Sequence, residues 1–282
     1  CTFFGYRYMA ITATGTVEFK SIKSIPVTSI TREMEMGKIT TGNELINKLI
    51  SNTYWGEVSN YLSVPTDCPQ RNERLGWTAD TQVFAETGAF FANTKDFFRK
   101  WIRDLNLFAD HSGGTFTVIA PYHTQLKPKR EKGGAGSAGW ADAGVVCPWM
   151  YFRKYGDRSI LERSVELVEK YVDLQDSVET PSTIGDHLAL GEKKTSSAFV
   201  AEALRIEMMR LTVLIDKALG RVEKARHFKE RRSARLREFQ AKWFDEKGEL
   251  KERTQTSAAF AVVYGLSPSA EAHEKAGLLL VE

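Results

Sequence analysis

Asp67-Cys68-Pro69-Gln70-Arg71-Asn72-Glu73-Arg74-Leu75-Gly76-Trp77-Thr78-Ala79-Asp80 interrupts a chain that is otherwise patterned as helix. Pro65, Pro69 and Gly76 break helices, so the stretch reads as a loop. On its N-terminal side Leu45, Ile46, Leu49, Ile50, Val58, Tyr61 and Leu62 recur at helical spacing, with Tyr54 bridging the one gap. On its C-terminal side Thr78 or Asp80 is placed to cap a second helix carrying Val83, Phe84 and Phe91. The loop therefore joins two helices and loads the connection with three carboxylates, two guanidinia and an indole. Charge is concentrated there as in a site held by a rigid scaffold.

Further out, Asn93 or Thr94 opens a helix with Phe97, Phe98, Trp101, Ile102 and Leu105. Residues 110–139 read as loop, with Ser112-Gly113-Gly114 and Gly133-Gly134-Ala135-Gly136-Ser137 flanking a Lys127–Lys132 charge cluster. Helical period returns over 142–155, 158–174, 196–219, 222–244, 255–264 and 268–282. Eight or nine helices with no βαβ alternation make the class mainly α after residue 40, in antiparallel hairpins arranged as a ring or solenoid. No fixed period marks a standard helical repeat. Residues 3–31 differ. Phe3, Phe4, Tyr6, Tyr8 and Ile11 lead to Gly15, and Val17 and Phe19 then alternate with Glu18 and Lys20. That pattern predicts β strands over residues 1–40, a segment or linker belonging to a β-domain, with the helical domain occupying 41–282.

The composition excludes several functions. Thirty-nine Lys and Arg against 36 Asp and Glu in 282 residues leave a net charge of +3, with no global field for nucleic acid or an anionic membrane. Cys1, Cys68 and Cys147 are too few and too scattered for a disulfide framework or a zinc site. His111 and His123 flank a loop with Asp110, and no further ligand at suitable spacing stands out, so no metal is expected. The nine Arg and Lys residues between Arg221 and Lys242 are interleaved with Glu223, Glu230 and Glu238 and with Val222, Phe228, Leu236, Phe239 and Trp243. That reads as an amphipathic helix with a charged outer face. Cys68 reads as a packed thiol.

The residues of the loop suit a sugar. Carboxylates and Arg forks bind hydroxyls, and the apolar face of a pyranose stacks on Trp. Breaking a glycosidic bond needs one carboxylic acid to protonate the leaving oxygen and a second carboxylate to activate water. Arg71 and Arg74 are placed to hold two acids ionised while a third, in a drier spot, stays protonated. On composition alone, the same charges equally describe a surface loop whose members pair with one another.

The stretch Asp-Cys-Pro-Gln-Arg-x-Glu-Arg-Leu-Gly-Trp-Thr-x-Asp closely resembles the signature loop of bacterial α-L-rhamnosidases of glycoside hydrolase family 78. Other motifs agree in order: Phe4-Gly5-Tyr6-Arg7-Tyr8, Phe97 to Ile102 with Asp104-Leu105, Gly139-Trp140-Ala141-Asp142-Ala143 with Pro148-Trp149, Tyr155-Gly156-Asp157, Gly185-Asp186, Thr254-Gln255-Thr256, and Tyr264-Gly265-Leu266. The resemblance implies an (α/α)6 barrel that removes terminal α-L-rhamnose from rhamnosides or polysaccharides with inversion and without a cofactor. It implies Glu73 as general acid, Asp67, Arg71 and Asp80 as hydroxyl-binding partners, and Trp77 and Trp140 as pocket walls.

This sequence also departs from the family. Asn72 stands where the family usually has an acid, Ala79 where it has Gly, and His187 where it has Trp. His187 retains a donor for a sugar hydroxyl but gives a weaker stacking wall. No segment matches the one that carries the family's catalytic base, so the barrel is expected to be truncated on its C-terminal side, with the base beyond Glu282. Two alternatives follow from these departures. One is a helical-barrel glycosidase with another sugar specificity. The other is a non-catalytic sugar-binding or interaction fragment.

Overall fold

The computed structural model describes residues 3–122, 136–189 and 194–281. The Lys127–Lys132 cluster, His123, Cys1 and Glu282 lie outside them. Among the described residues nine α-helices follow the expected order: α1 (Glu44–Asn60), α2 (Thr78–Phe91), α3 (Lys95–His111), α4 (Ala143–Tyr155), α5 (Ser159–Asp176), α6 (Ser197–Ala218), α7 (Val222–Trp243), α8 (Gln255–Val263) and α9 (Ala270–Leu278). None is long and apolar enough to cross a membrane.

The helices sort into two layers. The even-numbered α2, α4, α6 and α8 pack in series on one another, while α3 and α5 pack on each other and on α4. Sequence explains the sorting. The helix α6 is buried on almost every face from Phe199 to Asp216, so it can only be an inner helix. The helix α3 buries Phe97, Phe98, Trp101, Ile102, Leu105 and Ala109 and turns Asp96, Arg99 and Arg103 outward, so it belongs to the outer layer. Small residues admit bulky neighbours: Gly88 of α2 faces the Tyr61 ring and Gly144 of α4 faces the Phe116 ring, where a Cβ would collide. The ends of the series are α1, packed on α2, and α9, packed on α8.

The basic helix α7 buries only Ala225, Phe228 and Phe239; of the apolar face expected from its pattern, Leu236 and Trp243 are partly buried and Val222 is exposed. Its cations dock it onto α5 and α6. Arg231 and Arg235 both reach Asp176 at 2.6 Å, Lys224 meets Glu169 at 3.0 Å, and Lys242 meets Glu202 at 2.7 Å.

Two local expectations are corrected. Residues 3–28 contain no strand among the described residues, and Phe4, Tyr8 and Ile25 are exposed. Aromatic and β-branched residues favour a pleated surface that has a partner, and this stretch has no ladder to join. The only strands among the described residues are β1 (Tyr61–Leu62) and β2 (Val64–Pro65), a two-residue antiparallel ladder that turns the chain after α1. Second, α2 is capped by neither Thr78 nor Asp80. Trp77 is the N-cap residue, and the Thr78 hydroxyl donates instead to the Val118 carbonyl at 3.1 Å.

Candidate active site

The signature loop is pinned at its neck. The Asp67 amide donates to the Leu75 carbonyl at 3.1 Å, and the Leu75 amide returns a bond to Asp67 Oδ1 at 3.0 Å. Beyond the neck, Gly76 to Thr78 runs beside Val118 to Ala120, with Ala120 N–H on Gly76 O at 2.9 Å and Thr78 N–H on Val118 O at 3.0 Å. The loop is thus anchored to α2 and to the segment after α3, and its polar side chains project from a fixed base.

Two of the acids meet at Arg71. Its guanidinium pairs with Glu73 and lies 3.9 Å from Asp67. The indole Nε1–H of Trp77 donates to the other oxygen of Glu73 at 2.9 Å. Asp80, on the first turn of α2, has its pKa raised by burial, with the charges of Asp67 and Glu73 adding to the shift and His187 opposing it. Asp80 is nevertheless exposed, so only the direction of this shift, toward the protonated form, matches the drier carboxyl expected from the sequence. Arg74 departs from expectation. It points away from the acids to the carbonyl and ring of Phe3, so Arg71 alone of the two supplies their counter-charge.

Trp140 extends the cluster. It packs with Leu75, Trp77, Val118 and Ile119 and is only 8% exposed. Its turn is held by Asp142, which is fully buried and accepts from Gly139 N–H and the Tyr171 hydroxyl, both at 2.7 Å. Burial pushes the Asp142 carboxyl up to about 6. Gln82 of α2 donates to the Gly139 carbonyl, tying this turn to the signature helix. His187 stands edge-on to Trp140, with ring centroids 5.4 Å apart. It is brought there because Ala138 pairs with the segment at Ser182 and Thr183. Asp186 does not face the acids. It accepts from Thr195 N–H at 3.0 Å and from the Thr256 hydroxyl at 3.2 Å, joining two of the sequence motifs structurally. Asp67, Arg71, Glu73, Trp77, Asp80, Trp140 and His187 accordingly form one continuous cluster.

Asp67, Cys68 and Glu73 bring three potential ligand atoms within 4.8 Å of one another. Arg71 supplies positive charge in that space and pairs with Glu73, so the group is already engaged as an ion-pair cluster.

A residue the sequence reading overlooked lies beneath. A cavity of about 430 Å³ is lined by Asp67 and Asp80 and by Asn60, Tyr61 and Glu57 of the α1 turn. Glu57 is 1% exposed, and neither of its oxygens has a hydrogen-bond partner. The signal was available: Glu57 shares a helix face with Tyr54, Val58 and Tyr61. Burial pushes its pKa up to about 8. Because the folded pKa lies above the unfolded one, the folded state is favoured at low pH. That contribution is complete below about 4.5 and is lost by about pH 8. Glu57→Gln is expected to flatten this dependence by an amount on the order of 3 kcal/mol, visible as a smaller fall in melting temperature between pH 5 and 8. An unchanged pH slope would mean that Glu57 is ionised where it sits. A larger groove, about 640 Å³, runs between α3 and α5 among Arg99, Arg103, Arg163 and Glu166 and shares no residue with the cluster.

With this geometry established, the chain can be set beside known proteins. Residues 34–282 match the family described as the bacterial alpha-L-rhamnosidase 6 hairpin glycosidase domain. The chain is 41% identical over 177 residues to an alpha-L-rhamnosidase of Streptomyces avermitilis, covering 61% of this chain and 16% of that protein. It is 30% identical over its whole length to one of Formosa agariphila, spanning 31% of that protein. Among solved structures, the Streptomyces avermitilis alpha-L-rhamnosidase complexed with L-rhamnose superposes with a TM-score of 0.80 at 32% identity, over 90% of this chain and 24% of that one. That of Aspergillus terreus superposes with a TM-score of 0.77 at 27% identity, over 88% of this chain and 30% of that one. The layered helices are those of the six-hairpin, (α/α)6 glycosidase domain. The chain spans less than a third of the length of the curated relatives it matches.

Proposed function

The chain belongs to the bacterial alpha-L-rhamnosidase six-hairpin glycosidase family, and from that membership we propose that its site takes a terminal α-L-rhamnosyl residue and serves its hydrolysis by an inverting acid and base mechanism. The observation that carries the proposal is the Glu73 carboxyl, gripped between Trp77 and Arg71 beside two further carboxylates. In this reading substrate draws Arg71 off Glu73, which then takes up a proton and delivers it to the leaving oxygen. Trp77 Nε1–H fixes one of its oxygens, and the second is covered only by Arg71, whose side chain is 63% exposed and free to yield to substrate. Asp67 and Asp80 accept from sugar hydroxyls. Trp140 and His187 close the wall against the apolar face of the ring. Inversion requires a second carboxylate about 6.5–9.5 Å away across the sugar, with water between, and the reading assigns that role to none of these residues. We read 41–282 as barrel sequence and the stretch before it as a lead-in, while the family match itself begins at residue 34.

The test is rhamnose release from an aryl and an alkyl α-L-rhamnoside by the protein expressed from its complete gene. A panel of other glycosides accompanies them, because His187 favours considering another sugar. Preference for a sugar other than rhamnose, or binding without turnover, sinks the proposal. A narrower expectation concerns the wall itself. His187→Trp replaces a small edge contact on Trp140 with a broad ring, and L-rhamnose should then bind about three to ten times more tightly by calorimetry. Unchanged affinity would place residue 187 outside the sugar's reach.

A further inference from the structure

The signature loop is gripped from outside by residues 3–5. Arg74 adopts a left-handed backbone, with φ at +48°, a conformation non-glycine residues rarely hold without a compensating contact. Its side chain leaves the acid cluster and lays its guanidinium over the Phe3 ring, 4.8 Å from the centroid, while Nη1 donates to the Phe3 carbonyl at 3.4 Å. Arg74 Nε is buried without a hydrogen-bond partner, and Arg74 makes no ion pair among the described residues. Arg74 is half-buried, and a guanidinium held by one long hydrogen bond and a ring contact, with its Nε unpaired, contributes little to stability. The second grip is at Gly5. A Cβ there would stand 2.5 Å from the Pro69 carbonyl oxygen and 2.8 Å from Gln70 Cα, so the two backbones are in direct contact. The contacts at Pro69–Gln70 and at Arg74 bracket Arg71 and Glu73.

We propose that Phe3, Gly5 and Arg74 form a brace that positions Glu73 for proton delivery, with Arg74 as a positioning residue rather than a catalytic one. The inference rests on the reading of Glu73 as the acid. Twisting Arg74 into the left-handed region turns the chain between Glu73 and Leu75, and the Phe3 contact keeps it turned. Losing the contact lets Glu73 drift while the hydroxyl-binding groups, anchored at the Asp67–Leu75 neck, stay in place. A misplacement on the order of an ångström is enough to cost ~10²-fold in rate.

The brace has a kinetic signature distinct from general loosening. In the protein expressed from its complete gene, Phe3→Ala, Gly5→Ala and Arg74→Ala should each slow an alkyl α-L-rhamnoside about 10-fold or more, while 4-nitrophenyl α-L-rhamnoside, whose leaving group needs little acid help, changes less than about 2-fold. L-rhamnose affinity by calorimetry should hold within about 2-fold, Phe3→Tyr should retain the alkyl rate, and Phe3→Ala with Arg74→Ala should be no worse than either alone. Phe3 is 40% exposed, so its variants test the brace even if Arg74→Ala fails to fold. Equal losses on both substrates, no loss on either, or additive losses overturn the brace. Glu73→Gln run in parallel separates the two readings. Selective loss there without selective loss in the Phe3 and Gly5 variants defeats the brace alone, and no loss in Glu73→Gln defeats the acid assignment and the brace together.

Discussion

Glu73→Gln is expected to slow hydrolysis of an alkyl α-L-rhamnoside by about 10²- to 10⁴-fold, the range a positioned general acid contributes. The amide keeps the size of the carboxyl and can still face Trp77 and Arg71, so the fold and the loop should persist. What it lacks is a proton that can be given up as the glycosidic bond lengthens. An aryl substrate with an acidic phenol as leaving group should lose far less, because its departing oxygen carries charge without help. Sugar binding should survive, since Asp67 and Asp80 are untouched and the Asp67 carboxylate is fixed by the Leu75 amide. A drop in kcat on the alkyl substrate with KM nearly constant is the pattern of an interaction made mainly in the transition state. If the alkyl rate stays within a few-fold of the parent, Glu73 is not the acid.

Much of this was legible in the sequence, for definite reasons. Most helices announced themselves by their period, because a helix that buries one stripe or all of itself writes that demand locally; α1 shows the period yet leaves Leu45, Ile46 and Leu49 exposed. The signature loop was legible because its breakers, acids and indole lie within fourteen consecutive residues. Less accessible were features created by pairing across distance. The resemblance named Trp140, but nothing local says that a buried Asp142, bonded to a tyrosine one helix away, holds its turn. Arg71 and Arg74 are chemically alike and three residues apart, yet one serves the acids and the other turns to Phe3, because the left-handed backbone at Arg74 reverses its direction. Glu57 was readable as a carboxylate on an apolar stripe, but its place beside Asp67 and Asp80 depends on how α1 meets α2. Residues 3–28 failed as strands because a strand is specified jointly with its neighbour, and helical periodicity carries no such dependence.

The largest expected loss of stability comes from the smallest side-chain change in the loop. Gly76→Ala would place a methyl carbon 2.1 Å from the Ala120 carbonyl oxygen. That oxygen cannot step aside freely. It accepts from Trp101 Nε1–H at 2.9 Å, and Trp101 is wholly buried in the main core. The Ala120 amide is bonded to the Gly76 carbonyl itself at 2.9 Å, so the two strands of backbone are tied together at the point of collision. Relief requires either breaking the indole bond, which leaves a buried donor unpaired at about 1–3 kcal/mol, or pushing the loop off the segment after α3. Overpacking adds about 1–3 kcal/mol more. A total near 3 kcal/mol should lower the melting temperature by roughly 6–12 °C for a domain of this size. Trp77 follows Gly76 directly and fixes Glu73, so the displaced loop should also carry the acid out of line, and the alkyl rhamnoside rate should fall even at temperatures where the variant is folded. A Gly76→Ala protein with the parent's melting temperature and the parent's rate would mean that this contact is loose, and that the anchoring of the signature loop must be sought at the Asp67–Leu75 neck alone.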